Sequence, residues 1–313
     1  MQRRIDMNSF SETVSFTDNL KYDTNAKRIL ANKQVLARIL KKTVSELRDM
    51  SFPEIMKCIE GEPEISTVPV HPGLTNSPTI TGMQNEDNIP FEGIVYYDIR
   101  FYVKVPQDNK IVKIIVNVEA QKSFYPGYHL ETRGIVYGAR LISAQLDTEF
   151  VAPYYDQLKK VYSIWICFDS SKEQANAISE YKITKHDIIP GIRDNQKAYD
   201  KLSVVLITLN SAIKSDDQFI AMLNCLFDED NRVQKKDLLS SQYGYEITDD
   251  FGKELDIMCN LSEALVEKGI EKGEKRLQTL LNYLIKAGRY SELEAITAGD
   301  EKLKQHLYKE FNL

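Results

Sequence analysis

Cysteine is scarce and scattered in this chain: Cys58, Cys167, Cys225 and Cys259 make no CxxC pair. That spacing indicates neither a zinc site nor a disulfide framework, and reduced, mostly buried thiols are expected. Histidine is as sparse, with four residues and no two at ligand spacing. Only His129 falls near the residues singled out below, and a structural role is the simpler expectation for it. No apolar run approaches the roughly 20 residues of a membrane span, and Met1-Gln-Arg-Arg-Ile-Asp6 lacks the apolar core of a secretory signal. A cytoplasmic protein with no membrane partner is expected. Positive charge is not in excess either: a formal net charge of −6 argues against broad, non-specific adhesion to nucleic acid and leaves room only for a local patch. At 313 residues the chain can bury a sizeable core as one elaborated domain or as two.

What the chain has is a pair of strand-like runs with acids at matching ends. Ile94-Val-Tyr-Tyr-Asp-Ile-Arg-Phe-Tyr-Val103 contains Asp98, and Ile111-Val-Lys-Ile-Ile-Val-Asn-Val-Glu-Ala-Gln121 ends in Glu119-Ala120-Gln121. Both are rich in β-branched and aromatic residues, and Pro106-Gln-Asp-Asn-Lys110 between them has turn composition, so the spacing predicts a β-hairpin. Strand side chains alternate faces, which places Asn117, Glu119 and Gln121 together and turns Val116, Val118 and Ala120 toward a core. A turn centred on Asp108-Asn109 sets Asp98 across from Glu119, with Cβ atoms about 5 Å apart. Opposed like charges destabilise a sheet unless a proton or a cation separates them, and a hard divalent cation on oxygen ligands is the simplest such partner. The plainer alternative is two acids on the solvated face of an amphipathic hairpin. The apolar stretch Ile114-Ile-Val-Asn-Val118 leading into Glu119 weighs against it, because an unpaired carboxylate on an interior strand is costly.

These residues resemble the PD-(D/E)XK nuclease superfamily, and within it the bacterial recombination-promoting, transposase-like nuclease group, over most of the chain. One strand of that superfamily carries an Asp, here matched by Asp98, and the next carries Asp/Glu-x-Lys, here matched by Glu119-Ala120-Gln121 with Gln in the Lys position, as the transposase-like group often has. The wider text carries more of the likeness: Glu92-Gly-Ile-Val-Tyr-Tyr-Asp-Ile-Arg-Phe101, then Val118-Glu-Ala-Gln-Lys-Ser-Phe-Tyr-Pro-Gly-Tyr-His-Leu-Glu-Thr-Arg-Gly134. The resemblance implies an α/β fold with a restriction-endonuclease-like α-β-β-β-α-β core and a mixed sheet. It implies that Asp98, Glu119 and the Ala120 carbonyl hold Mg2+, with Mn2+ as the alternative, to activate water against a DNA phosphodiester. Gln121 in this role can orient a water by hydrogen bonds but carries no charge. Lys122 follows directly but points to the opposite face of an ideal strand. Lys113 shares the face of Glu119 but lies about 20 Å back along it.

After Tyr125-Pro-Gly127 the spacing predicts a helix from Tyr128 to about Gln145, with Leu130, Gly134, Gly138 and Leu141 on one stripe. Each interior glycine costs about 1 kcal/mol relative to Ala, so two of them suggest close packing on the sheet. Arg133 and Arg140 flank that stripe; Arg133 either meets a DNA phosphate or the site rim, or is a solvated or core-flanking arginine. Upstream, residues 25 to about 49 predict one amphipathic helix built on Ile29, Leu36, Ile39, Leu40, Val44 and Leu47. Its outer face carries Lys27, Arg28, Lys33, Arg38, Lys41 and Lys42, a set that usually marks a solvated face and could track a phosphate backbone. Asp23 and Glu46 are candidate extra acids. Between Glu60 and Pro90, a stretch containing Val68-Pro-Val-His-Pro-Gly-Leu74 predicts a long loop.

Val161-Tyr-Ser-Ile-Trp-Ile-Cys-Phe168 and Leu202-Ser-Val-Val-Leu-Ile-Thr-Leu209 predict two buried strands. Helical patterning follows from Asp216, with a charged repeat at Glu267-Lys-Gly269 and Glu271-Lys-Gly273 and a stripe of Leu277, Leu280, Leu281, Leu284 and Ile285. The expected organisation is a nuclease-like domain over 1–215 and a helical C-terminal region over 216–313, possible ground for self-association. The function implied is a metal-dependent DNA endonuclease. The competing expectation is a catalytically silent relative that binds DNA or self-associates, which Gln121 in place of Lys favours slightly. A glycosidase built on the two acids has no sugar cleft signal to support it.

Overall fold

The computed structural model of the chain describes residues 24–61, 64–65, 86–89, 93–96, 98–107, 110–227 and 232–311. The expected long first helix is two helices. Residues 24–31 form α1, and Lys33–Thr43 form α2. Asn32 divides them because its side chain accepts the Gln34 N–H at 2.9 Å, the bond by which an Asn starts a new helix. Beyond Thr43 the chain makes only a short 3-10 turn, Ser45–Leu47, before α3, Phe52–Cys58. Beyond Gly61 the stretch to Pro90 is described only at β1, Glu64–Ile65, and β2, Glu86–Ile89; the rest of the expected loop, including Val68 to Leu74, lies outside the described residues.

The run from Ile94 to Val103 is divided as well. Gly93–Tyr96 form β3, paired with β2 in a separate ribbon, and the main sheet resumes with β4 at Ile99–Gln107, leaving Asp98 at the bend between them. β5 is Lys110–Ser123, antiparallel to β4, with Gln107 opposite Lys110 and Ile99 opposite Val118. The chain then crosses through α4, Leu130–Ser143, to β6, Val161–Asp169. β7, Ala177–Lys182, a short helical turn α5, Gln196–Tyr199, and β8, Leu202–Thr208, complete the sheet. Its order is β1-β4-β5-β6-β8-β7, with β5, β6 and β8 parallel and the flanking pairs antiparallel. The result is an α/β protein with a mixed open sheet.

Both faces of the sheet are covered. Ile114, Val116 and Val118 of β5 turn into the larger core, with Ile29, Leu36, Ile39 and Leu40 of α1 and α2. On the opposite face α4 lies on β6 and β8, where Leu130 packs with Trp165, Val204 and Leu206, and Leu141 with Ile115 and Val161. The two glycines of α4 permit this approach. A Cβ on Gly134 would stand 2.5 Å from Val204 Cγ1, and one on Gly138 would stand 2.3 Å from Leu202 Cδ1.

The helices after β8 do not begin a separate region at 216. α6 (Gln218–Phe227), α7 (Arg232–Ser241) and the start of α8 (Asp249–Lys286) send Ile220, Leu223, Leu226, Leu239, Phe251 and Leu255 into the same large core. The first compact unit therefore runs to Cys259, and the second is Asn260–Leu313. In the second, Leu280 and Leu284 pack with Ile296 of α9 (Tyr290–Thr297) and with Leu307 and Tyr308 of α10 (Glu301–Glu310). The leucine stripe is thus covered from within its own unit, and Ile285, expected on it, is half exposed. Among the described residues no helix is long and apolar enough to cross a membrane.

Candidate functional site

The β4–β5 register, continued one residue past Ile99 and Val118, brings Asp98 opposite Glu119. Each acid bonds to the other strand's backbone: the Asp98 N–H donates to Glu119 Oε1 at 3.0 Å, and the Ala120 N–H donates to Asp98 Oδ2 at 2.9 Å. Asp98 is 7% exposed and Glu119 3%, which removes the solvated-hairpin alternative. Burial first, and the Asp98 charge second, push the Glu119 carboxyl well above the usual carboxylate range, against the opposing pull of the Asp98 N–H, Arg133 and Lys27.

A cation reaches this pair from a direction that hydrophobic spacing did not predict. Lys27 of α1, expected on the solvated face, is 4% exposed, and its Nζ stands 2.9 Å from Asp98 Oδ1. The only sequence signal for it is its place next to Ala26 and two residues before Ile29, flanking the apolar stripe; a lysine there is ordinarily assigned to solvent.

Arg133 approaches from α4. Its guanidinium donates to the Tyr128 hydroxyl at 2.6 Å and to the Tyr137 hydroxyl at 2.8 Å, and lies 5.1 Å from the Trp165 ring. Burial disfavours its charge, but Tyr137, Tyr128 and the Glu119 carboxylate outweigh that and hold its pKa above the usual arginine value. Tyr137, which spacing did not single out, responds to the same centre: burial and the Glu119 charge raise its pKa. Arg140, on the same helix, is buried.

Asn117, one side-chain step before Glu119 on the same face, is fully buried, and neither its amide nitrogen nor its oxygen has a hydrogen-bond partner among the described residues. Gln121, one step beyond Glu119, is half-buried opposite Cys167 of β6, at the carboxyl ends of the parallel strands, where open α/β sheets commonly bind ligands. The Lys122 side chain and Asp23 lie outside the described residues. Lys113 is committed elsewhere, its Nζ 3.3 Å from the centre of the Tyr102 ring and in ion pairs with Glu60 and Glu149. Glu46 accepts from the Tyr162 hydroxyl at 2.7 Å and pairs with Lys160 at 3.3 Å near the starts of β6 and β8, so it is not part of the pair's surroundings. His129 stands before α4 with its ring edge-on to Tyr125.

The two buried carboxyl groups are hard oxygen donors of the kind Mg2+ takes, usually with waters completing its shell. The orphaned Asn117 amide adds polar groups that a bound water or ligand would satisfy. Among the described residues no three His, Cys, Asp or Glu side chains converge on such a site. No family profile, curated protein or solved structure matches this chain.

Proposed function

We propose that the protein is a metal-dependent DNA endonuclease of the PD-(D/E)XK, transposase-like class, with a restriction-endonuclease-like core. The observation that carries the reading is the burial of Asp98 and Glu119 side by side, each fastened by the other strand's backbone. Asp98, Glu119 and the Ala120 carbonyl would hold Mg2+ or Mn2+, which when bound supplies a lowered water pKa and charge neutralisation at the phosphodiester. The chain's own residues do the rest. The cross-strand bonds orient both acids, as a preorganised site needs. Lys27 supplies the positive charge that Gln121 lacks, and Gln121 orients a water through its amide. Arg133, held by Tyr128 and Tyr137, offers its remaining N–H donors to a phosphate oxygen, with Lys122 as the second residue proposed to contact DNA.

A second reading is favoured by one observation: the Lys27 ammonium already neutralises Asp98 without a metal, as a catalytically silent, DNA-binding or self-associating relative would have it. Melting temperature with and without Mg2+ or Mn2+ separates the two, because a cation that binds only the folded state must stabilise it. The nuclease reading requires a rise in the wild type that is lost in Glu119→Ala. No rise, or the same rise in the variant, favours the silent relative.

A further inference from the structure

Arg38, expected on the solvated face of the first helix, is 5% exposed, and none of its bonded partners is acidic. Its guanidinium donates to the carbonyls of Gln34, Tyr243 and Gly244 at 2.8–2.9 Å and lies 3.7 Å from the centre of the Tyr245 ring and 4.7 Å from that of Phe52. Three of its five N–H donors are used in this way. Burial lowers its pKa, the sign of a cation short of compensation.

Arg38 lines a cavity of about 380 Å³ where α2, α3, α6 and the end of α7 meet, and Lys41, Lys42 and Arg48 line it too. Four cations thus converge in a chain whose net charge is −6. Among the described residues their carboxylate partners are few: Asp217 takes Lys42 at 2.7 Å, and Glu54, bonded to Ser51, feels Lys41 only at longer range. Lys41 donates to the neutral Met50 carbonyl. The carboxyl end of α2 accounts for Lys41 and Lys42, since cations are favoured there. It does not account for Arg38, buried a turn earlier, or for Arg48, beyond the helix. The remaining wall is flat and apolar, from Phe52 and Phe219, with the Gln218 and Gln242 amides on the lining. The volume lies at the small end of the roughly 300–1,000 Å³ typical of ligand pockets.

We propose that this cavity binds a nucleotide, its phosphate held by Lys41 and Arg48 beside the Arg38 charge and its base laid against Phe52 and Phe219. The nucleotide is either free or the 5′-phosphorylated end of a strand. Phosphate satisfies the surplus charge, the aromatic wall takes a ring that has two faces, and the amides meet the edge of a base. The site uses no residue of the Asp98–Glu119 pair and does not depend on nuclease activity.

Calorimetric titration of the full chain with adenosine monophosphate, inorganic phosphate, adenosine and a 5′-phosphorylated dinucleotide tests it. Saturable binding of the monophosphate is expected, with phosphate and adenosine each at least about tenfold weaker. Lys41→Gln/Arg48→Gln should weaken it at least about tenfold, and Glu119→Ala should leave it unchanged. Should the double variant melt low, Arg48→Gln alone, at an exposed residue, gives the same comparison. A dinucleotide that binds more tightly than the monophosphate assigns the site to a strand end, and equal affinity assigns it to free nucleotide. Absence of saturable monophosphate binding, equal affinity in the folded variants, or phosphate binding as tightly as the nucleotide overturns the proposal.

Discussion

Lys27 places its ammonium 2.9 Å from Asp98 Oδ1 with both side chains nearly enclosed, so the first of two paired acids carries its own counter-charge. Removing one partner of a buried pair leaves an uncompensated charge, at a cost of about 3–5 kcal/mol. Lys27→Met should therefore lower the melting temperature in EDTA. Mg2+ should restore more stability to this variant than it adds to the wild type, because the ion then neutralises two carboxylates that otherwise repel. Calorimetric scans of both proteins with and without Mg2+ check this; equal metal-induced shifts would show that Lys27 and the ion do not share a charge centre.

Glu119 gives the stability a pH dependence of defined sign. Burial and the Asp98 charge raise its folded-state pKa above the unfolded value near about 4.3. The folded chain therefore binds the extra proton, and the stability this contributes is present at low pH and lost as pH rises through the folded pKa. Glu119→Gln removes the titration and keeps an oxygen to accept the Asp98 N–H. Its melting temperature relative to wild type should rise steadily with pH above the ordinary glutamate range. A pH-independent difference would contradict the assignment. Because a metal must displace that proton, apparent Mg2+ affinity of the wild type should also increase with pH.

The α4–sheet contact predicts unequal costs for two identical substitutions. A Cβ at Gly134 meets Val204 Cγ1 at 2.5 Å and Trp165 Nε1 at 3.1 Å, whereas at Gly138 it meets only the end of the flexible Leu202 side chain. Overpacking costs about 1–3 kcal/mol and the helix gains about 1 kcal/mol on replacing Gly by Ala. Gly134→Ala should lower the urea midpoint clearly, and Gly138→Ala should be nearly neutral.

Burial pushes the Cys167 thiol up to about 12, with the Glu131 charge adding to it, while Cys225 is only half-buried. Maleimide labelling of the native protein near neutral pH should modify Cys225 before Cys167, with Cys167 reacting at the rate of global unfolding.

Much of this was legible where local chemistry and tertiary packing agree. The turn composition of 106–110 agrees with the pairing of Gln107 against Lys110, and that register alone carries Asp98 to Glu119. The apolar runs at Val161 and Leu202 are strands because both faces of the sheet are covered there. The glycines of α4 mark its closest approach. Legibility failed where a single side chain overrode periodicity. Asn32 caps a new helix inside a continuous apolar pattern, and the strand-like run through Asp98 is shared between two sheets. Lys27 and Arg38 turn inward because a carboxylate and a ring of carbonyls receive them from distant parts of the chain, which helical spacing cannot register. The edge strand β7 has only one strand neighbour and five of its six residues exposed, so it carries little hydrophobic pattern. The compact unit extends past 215 because α6, α7 and the start of α8 fill the same core as the sheet.

On the proposed reading, the buried Asp98–Glu119 pair is a metal-dependent DNA cleavage centre. Supercoiled plasmid incubated with Mg2+ or Mn2+ and wild type, Asp98→Ala or Glu119→Ala, with EDTA as control, tests it most directly. Nicked or linear product is expected from wild type alone, lost in EDTA and in both folded variants. Intact plasmid with well-folded wild type under both metals, or cleavage that persists in Glu119→Ala, would contradict it.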